Sequence, residues 1–318
     1  MCVSAGALEK SWFSFRVEMR AGSLSLASCA GIFALLTLRS VLASPSASAG
    51  AVSPRVAPSP ALAAGSVRLV TYNVAGLPAH FSGLHPREHL PLIGKFLNAY
   101  DVALVQEDYA YPGELRQGLA FSHSSPAFVR GTRHDFGDGL SLFSRLPFSG
   151  FEREAWSACN GYLGAYFDCL TPKGFSFSRL ELAPGVFVDL YNLHMDAGPS
   201  SGDVHARAAQ FQQLAAAIAR RSPGHALIVA GDTNVRGYRR EALRAFEEHS
   251  GLSDACEVLH CPDPRRIDRV FVRSSTELEL RPTTWRTEST FIDAQGEALS
   301  DHLPVSVDIA WRVRAEAR

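Results

Sequence analysis

Short apolar runs that end abruptly in polar residues dominate the pattern of this sequence. The run at residues 226–230 leads directly into Gly231-Asp232-Thr233-Asn234. A continuous apolar run of this length, bounded by turn residues, is typical of a buried strand. The Asp and Asn then place two hard oxygen donors at the edge of a rigid sheet, where they suit a Mg²⁺ ion or a phosphate-bound water. Taken alone, the stretch is better explained by an ordinary strand-to-loop turn.

The same patterns predict the other elements. The clearest helix covers residues 203–221, with apolar residues on one face and Asp203 able to cap its first turn. Two further helices are predicted at about 87–99 and 239–248. The Thr- and Arg-rich stretch before Ser300 is expected to be a loop. Strands are predicted at residues 67–74, 101–107, 139–144, 175–182, 186–194, 226–230, 267–272 and 303–311.

This mixed order of many strands and three substantial helices predicts a layered α/β domain. Several strands are apolar on both faces, which is typical of two mixed sheets packed face to face with helices outside. We expect a single domain at residues 66–313, followed by a short tail at 314–318.

The N-terminal region has a different composition. An apolar run from about Leu24 to Leu38 follows Arg16 and Arg20, and Ala47-Ser48-Ala49 suits a cleavage site. These features predict a secretory signal peptide at residues 1–49 and a secreted or periplasmic location. The run is short for a membrane span, although an uncleaved anchor is the alternative. Residues 50–65, rich in Ala, Pro and Ser, are predicted to be a flexible linker.

Composition and charge narrow the class of protein. Hydrophobic residues make up 46% of the chain and charged residues 20%, as in an ordinary globular protein. Four of the 31 basic and two of the 32 acidic residues lie before residue 50, so the remainder has a formal charge of −3. No Lys/Arg block is present, which argues against a strong nucleic-acid surface. We expect a monomer.

The cysteines indicate disulfides. Two of the six lie in the predicted signal peptide, and the even number that remains suits an exported chain. Proximity in the sequence favours Cys159 with Cys169 and Cys256 with Cys261, although four cysteines allow three pairings. The sequence contains no Cys-x-x-Cys or His-Glu-x-x-His pattern, which argues against zinc.

Polar residues occur at six predicted strand boundaries. Each one alone is explained as a turn, surface or hydrogen-bonded core residue. Their joint occurrence is different, because open α/β sheets place ligands at one rim, and turns alone would favour Gly, Pro and Ser. The set comprises Asn73, Glu107, His194, Asp232, Asn234, Asp268, Asp301 and His302. The other histidines are expected at the surface: His80, His85, His89, His123, His134, His205, His225, His249 and His260.

The order of these motifs resembles the endonuclease/exonuclease/phosphatase superfamily. The resemblance covers residues 66–313 and implies a DNase-I-like four-layer α/β/β/α sandwich. It also implies cleavage of phosphoester bonds with Mg²⁺, with Mn²⁺ or Ca²⁺ as alternative ions. The motifs are Tyr72-Asn73-Val74, Val105-Gln106-Glu107, Leu193-His194, Gly231-Asp232-Thr233-Asn234, Ile267-Asp268-Arg269-Val270-Phe271 and Ser300-Asp301-His302.

Within the superfamily, the chain is most similar to neutral and bacterial sphingomyelinases. The similarity lies in the segments at residues 139–147 and 168–174, and it implies a phospholipid head group as substrate. Peripheral membrane contact is compatible with it. Membrane-active bacterial members carry an aromatic hairpin before Ser-Asp-His, however. Here residues 275–299 contain only Trp285 and Phe291 as aromatics, which argues against bilayer insertion.

Phosphodiester hydrolysis by water needs a cation to stabilise phosphoryl charge, and carboxylates hold that cation. Glu107 is the first choice as metal ligand, with Asn73 beside it and Asp301 completing the site. Lys173 either meets the phosphate or is a solvated turn residue.

His302 is the expected general base, and by resemblance Asp268 orients its ring. His194 contacts the phosphate or assists the leaving oxygen, while Asp232 and Asn234 position water and phosphoryl oxygen. Which histidine acts as the acid stays open.

The leading hypothesis is therefore a secreted phosphodiesterase of the sphingomyelinase or phospholipase C type. A secreted DNase-I-like endonuclease is the main alternative. An inositol-phosphate phosphatase and a non-catalytic binding module rank lower, because export disfavours the first and the complete polar set disfavours the second.

Overall fold

The computed structural model describes residues 63–127, 137–162, 168–237, 240–262 and 266–315. The predicted signal peptide, the predicted linker up to residue 62 and the last three residues of the predicted tail lie outside the described residues. In the part of the chain that is described, no helix is long and apolar enough to cross a membrane.

The described residues form strands and helices in mixed order. The strands are β1 (Ala64–Asn73), β2 (Val102–Gln106), β3 (His123–Ser124), β4 (Ser141–Ser144), β5 (Phe148–Ala155), β6 (Gly174–Ala183), β7 (Val186–His194), β8 (Leu227–Asp232), β9 (Ser253–Asp254), β10 (Asp268–Arg273), β11 (Leu278–Thr287) and β12 (Val305–Val313). The helices are α1 (Ala79–Ser82), α2 (Pro86–Leu97), α3 (Pro112–Gln117), α4 (Ser201–Arg221), α5 (Glu241–Ser250) and α6 (Ala255–Val258).

Two mixed sheets contain these strands. The first has the order β11-β12-β1-β2-β4-β3, and the second has the order β5-β6-β7-β8-β10-β9. At the centre of each sheet lies one parallel pair, β1 with β2 and β7 with β8. Each pair is flanked by an antiparallel strand, β12 beside β1 and β10 beside β8.

Apolar residues on both faces of the central strands create three buried layers. Leu69 of β1 packs between the two sheets, whereas the next residue, Val70, packs against α2 and α3. In β8, Ile228 faces the other sheet and Val229 packs against α4 and α5. Successive side chains of a strand point to opposite faces, and each such side chain contributes about 1.5–3 kcal/mol when fully buried. The predicted four-layer α/β/β/α sandwich is confirmed.

The predicted loop before Ser300 is wrong in one part, because it contains the ten-residue strand β11. Leu278, Leu280 and Pro282 are buried in alternation with more exposed residues, and the strand pairs with β12 along its length. As an edge strand, β11 tolerates the proline and its charged residues. The alternation of apolar and polar residues that is typical of a strand was therefore present in the sequence, but the Arg and Thr residues obscured it. The edge strand β5 carried no prediction.

Element ends also differ from the predictions. Ser200, and not Asp203, is the N-cap residue of α4. The Ser200 hydroxyl accepts from the Asp203 backbone N–H, and the Asp203 carboxylate accepts from the Ser200 N–H, which forms a capping box. β1 begins at Ala64, so the last two residues of the predicted linker belong to the strand.

Both favoured disulfide pairings are present, Cys159–Cys169 and Cys256–Cys261. The first joins cysteines ten positions apart in the sequence and lies directly beside Asp168, and the second spans the end of α6.

Candidate active site

Strand direction brings four predicted residues to one rim. Parallel strands end at the same edge of a sheet. Asn73 closes β1 and Glu107 directly follows β2, while His194 and Asp232 close β7 and β8. His194 and Asp232 are direct partners in the sheet register.

Two antiparallel strands begin at this rim and supply further groups. Asp268 is the first residue of β10 and lies opposite Asp232 in the register. His302 precedes β12, whose residue Val305 pairs with Thr71 near the end of β1. The polar residues at strand ends and strand starts therefore converge, as expected from the sequence.

Hydrogen bonds between the two sheets align their rims. The Asn73 amide donates to Glu107 Oε1 at 2.9 Å and to Asp232 Oδ2, on the other sheet, at 3.3 Å. At the end of β2, the Gln106 amide donates to Asn192 Oδ1, on the other sheet, at 2.6 Å. Asn73, Gln106 and Asn192 are all buried, so these bonds have little competition from water.

Three residues at this rim have a positive backbone φ angle. Glu107 has a φ of 60° and Asn234 one of 52°, both in the left-handed region. Gly231 has a φ of 144°, and a Cβ atom there would lie 2.0 Å from the Leu193 carbonyl oxygen. Glycine therefore permits the close contact of β7 and β8 just before His194 and Asp232.

His302 is held by two carboxylates. Its Nδ1 lies 2.9 Å from Asp268 Oδ2, and its Nε2 lies 3.8 Å from Asp232 Oδ2. Burial opposes a charged ring, but Asp268 and Asp232 outweigh it and raise the pKa of His302 to about 10. The contact with Asp268 leaves Nε2 as the nitrogen available to a substrate or water.

His194 differs from His302 in its charge. Its side chain is fully buried, with Nε2 3.8 Å from Glu107 Oε1 and 3.6 Å from Asp232 Oδ2. Burial, followed by the positive charges of Lys173 and His302, holds the pKa of His194 well below its usual range. His194 is therefore a neutral imidazole at pH 7. Its Nδ1 has no hydrogen-bond partner among the described residues.

Burial disfavours the charged forms of the Glu107 and Asp232 carboxylates, against the stabilising effect of Lys173 and His302. Burial raises the pKa of Asp232 to about 6, against the lowering effect of His302, and burial also raises the pKa of Glu107. Hard oxygen ligands such as these carboxylates fit a divalent cation, and the partial exposure of Glu107 leaves it accessible. Asp232, Asp268 and His302 also bring one potential ligand atom each within 4.8 Å. Because His302 contacts Asp268, however, these three residues suit proton transfer better than metal binding.

Lys173 is buried and paired. Its Nζ lies 2.6 Å from Asp168 Oδ1 and donates to the Met195 carbonyl at 3.2 Å. The Asn234 amide donates to the same carbonyl at 3.0 Å. Met195 follows His194, so Lys173 and Asn234 lie together at the edge of the candidate site.

The Endonuclease/Exonuclease/phosphatase family model matches residues 70–302. That span covers most of the chain and every predicted site residue. The chain belongs to this family.

A sequence relative and solved structures are also similar to the chain. A sphingomyelinase of Mycobacterium tuberculosis is 34% identical over 267 residues, which cover 76% of this chain and 52% of that protein. The chain thus spans about half the length of this relative. A Staphylococcus aureus beta toxin mutant with bound magnesium ions has a TM-score of 0.57 and 16% identity, covering 76% of this chain and 99% of the toxin.

A third likeness comes from a nucleic-acid complex. D. rerio TDP2 complexed with a single-strand DNA product has a TM-score of 0.61 and 18% identity, covering 77% of this chain and 98% of TDP2. At such identities the two solved structures bear on the fold alone, and they support the sandwich described above.

The eight predicted site residues differ in how closely they contact one another. Six of them form one connected cluster through contacts of 3.8 Å or less: Asn73, Glu107, His194, Asp232, Asp268 and His302. Asn234 joins them through its backbone N–H, which donates to Asp232 Oδ1 at 2.9 Å. Asp301 is exposed at the rim, 3.3 Å from the Ser300 hydroxyl.

The roles given to the metal ligands stay predictions. Asn73 directs its N–H groups at the two carboxylates, and its oxygen accepts from the Ala75 N–H at 3.1 Å. In this orientation the Asn73 N–H groups brace Glu107 and Asp232. The alternative of a solvated Lys173 is wrong, because that side chain is buried against Asp168.

Sequence reasoning missed two buried groups near the site and misplaced a third. Asp168 and Tyr109 carried no predicted role, although Asp168 lies five residues before Lys173 and Tyr109 two residues after Glu107. His89 was expected at the surface, but it is buried and its Nδ1 lies 3.1 Å from the Leu299 carbonyl oxygen. Only the packing of α2 against the segment before Ser300 reveals that position.

Proposed function

We propose that the chain is an exported, Mg²⁺-dependent phosphodiesterase of the sphingomyelinase or phospholipase C type. One observation carries the proposal: Glu107 and His302 share Asp232 as a neighbour. Asn73 links Glu107 to Asp232, and His302 Nε2 lies 3.8 Å from the same carboxylate. A carboxylate fit for a cation and a base fit for a water molecule therefore belong to one small site.

His302 takes the proton of the attacking water at Nε2, and Asp268 holds Nδ1 and stabilises the imidazolium. Asp232 is one of the charges that raise the pKa of His302, so a cation that neutralised Asp232 would lower that pKa and favour the unprotonated Nε2 that accepts the proton. When bound near Glu107, a divalent cation supplies positive charge to the phosphoryl and leaving oxygens.

The remaining groups orient the phosphate. The neutral His194 donates one hydrogen bond to a phosphoryl or leaving oxygen without adding charge. Lys173, held by Asp168, and Asn234 approach from the edge at Met195. These donors favour an anionic substrate in a site that otherwise contains carboxylates.

A phospholipid head group is the favoured substrate, since the 34% identical relative is a sphingomyelinase. The two aromatics of residues 275–299 do not form an exposed hairpin tip. Phe291 is buried edge-on against Tyr72, and Trp285 is half-buried under the Arg266 guanidinium at 4.5 Å. We therefore propose action on dispersed or peripherally contacted lipid, without insertion through this segment.

A nuclease is the second candidate. D. rerio TDP2, solved with a DNA product, shares the fold, so the fold itself is compatible with a nuclease. The formal charge of −3 after residue 49 and the lack of a Lys/Arg run weigh against it. Export is supported by the two disulfides and the predicted signal peptide; N-terminal sequencing of protein recovered from the culture medium tests it.

A substrate panel tests the function. Purified protein is assayed on detergent-dispersed sphingomyelin, phosphatidylcholine, supercoiled DNA and inositol phosphates, each with Mg²⁺ or EDTA, beside His302→Ala. The proposal expects phosphorylated head-group release from lipid, with Mg²⁺ only, and none from the variant. Nicking of DNA without lipid cleavage would establish the nuclease instead.

A further inference from the structure

The hydroxyl of Ser300 joins two backbone positions of the candidate site, and the mechanism above gives it no role. Ser300 is 3% exposed, so its hydroxyl has little contact with water. The hydroxyl donates to the Asn73 carbonyl oxygen at 2.8 Å and accepts from the His302 backbone N–H at 3.2 Å. One side chain therefore connects the end of β1 to the base, although Ser300 and Asn73 are 227 positions apart in the sequence.

The segment that carries His302 lies outside the hydrogen-bonded sheet. Residues 300–304 belong to no helix or strand, and β12 pairs with β1 only from Val305, opposite Thr71. The regular hydrogen bonds of β12 therefore begin three residues after His302. Because sheet pairing does not fix this segment, the hydrogen bonds of Ser300 limit how far the segment can move.

Ser300 also closes a cycle of contacts around the site. The Asn73 amide donates to Asp232 Oδ2 at 3.3 Å, and Asp232 Oδ2 lies 3.8 Å from His302 Nε2. The His302 backbone N–H then connects through the Ser300 hydroxyl to the Asn73 carbonyl. Without that hydroxyl, the cycle opens between the base and the strand whose last residue braces the carboxylates.

We propose that Ser300 is a positioning residue that holds His302 Nε2 at its working distance from Asp232. The inference rests on the proposed function, because it takes His302 as the base. A serine hydroxyl donates and accepts at the same time, as this connection requires, whereas alanine does neither. The effect on the reaction is large even for a small movement, since a displacement of about 1 Å costs on the order of a hundredfold in rate.

Ser144 supplies the matched control. It is fully buried, and its hydroxyl donates to the Leu146 carbonyl at 2.7 Å and accepts from the Leu146 N–H at 3.0 Å. Ser144 pairs with Val102 at the start of β2, about 16 Å along that strand from Glu107. Alanine at either serine removes one donated and one accepted hydrogen bond, so we expect similar decreases in Tm. Only the substitution at Ser300 should change the reaction.

The first measurement compares kcat, KM and Tm of Ser300→Ala and Ser144→Ala with those of the wild type, on the best substrate of the panel. We expect Ser300→Ala to lose about tenfold or more in kcat, with KM within about threefold of wild type. Ser144→Ala should keep wild-type kcat despite its lower Tm. Wild-type kcat in Ser300→Ala overturns the inference, and so does an equal loss of kcat in both variants.

A second variant keeps the test decisive if Ser300→Ala does not fold. Ser300→Cys has a side chain of similar shape, but a thiol donates and accepts only weakly. We expect Ser300→Cys to lose kcat in the same way, by about threefold or more. Wild-type kcat in Ser300→Cys would contradict the assigned role.

The last measurement needs no turnover. With EDTA present and at one fixed pH, NMR records the ring Cε1–H signal of His302, which is assigned by its absence in His302→Ala. We expect this signal to shift or broaden in Ser300→Ala and to match wild type in Ser144→Ala. An unchanged signal in Ser300→Ala, or an equal change in both variants, overturns the inference. A wild type that hydrolyses no substrate of the panel but shows the expected changes in the signal sinks the proposed function alone.

Discussion

His302 Nδ1 and Asp268 Oδ2 lie 2.9 Å apart although 34 residues separate them in the sequence. Asp268 begins β10 in the second sheet, and His302 precedes β12 in the first. The contact therefore crosses the interface between the sheets, as does the bond from Asn73 to Asp232. The site therefore forms only when the two sheets pack with these strand ends aligned.

Replacing Asp268 should lower the pKa of His302. With EDTA present, the pKa of about 10 keeps the wild-type imidazole protonated from pH 6 to pH 8.5. In Asp268→Asn the His302 pKa should fall by about one pH unit or more, because an adjacent opposite charge is lost. Histidine NMR titration measures the change. Asp301→Asn, which removes the weakest of the three carboxylate effects, is the control and should shift it less.

The sign of the linked stability follows from the same pKa. A folded pKa above the unfolded value of about 6.5 stabilises the fold fully below pH 6.5, and that contribution is lost as the pH rises towards 10. The difference in unfolding free energy between wild type and Asp268→Asn should therefore shrink across this interval. A constant difference in urea unfolding would show that His302 does not carry the charge.

Breaking the Lys173–Asp168 pair should be strongly destabilising. The side chains are 8% and 0% exposed, so Lys173→Met leaves a buried carboxylate without its partner. We expect a loss of about 3–5 kcal/mol in unfolding free energy. Arg87→Met is the comparison, since the Arg87 side chain is 71% exposed in its pair with Glu114, and it should lose less than about 1 kcal/mol. Similar losses would contradict the burial of Lys173.

A side chain at residue 231 should disrupt the rim. In Gly231→Ala the new Cβ atom meets the Leu193 carbonyl at 2.0 Å, at a φ that alanine rarely adopts. Chemical unfolding should show a loss of about 2 kcal/mol or more, and activity should fall because His194 and Asp232 move apart. Gly113→Ala, where nothing lies within 4 Å, should leave both properties near wild type. Retained stability in Gly231→Ala would mean that β7 and β8 tolerate separation.

The convergence at the rim was predictable because it follows from local patterns. Apolar runs locate β1, β2, β7 and β8, and the polar residue that ends each run is read directly from the sequence. Parallel pairing then places those ends together. Nothing in a single strand, however, fixes how one sheet packs on another, so contacts such as Asn73 with Asp232 required the structure.

Residues whose role depends on packing were missed for the same physical reason. Tyr109 looks like an ordinary core aromatic until its hydroxyl is found without a hydrogen-bond partner among the described residues. His89 has the spacing of a helix surface residue, yet the segment before Ser300 covers it. β11 escaped because its exposed edge face carries Arg and Thr.

The central claim is that a divalent cation near Glu107 and the base His302 act on one phosphodiester. Its most direct test is a Mg²⁺ titration of hydrolysis, with the best substrate of the panel, after removal of bound ions by EDTA. The account predicts no hydrolysis in EDTA, full recovery of the wild type with Mg²⁺, recovery of Glu107→Gln only at about tenfold or more higher Mg²⁺, and none of His302→Ala. Wild-type hydrolysis that persists in EDTA, or a His302→Ala variant that recovers fully, would contradict it.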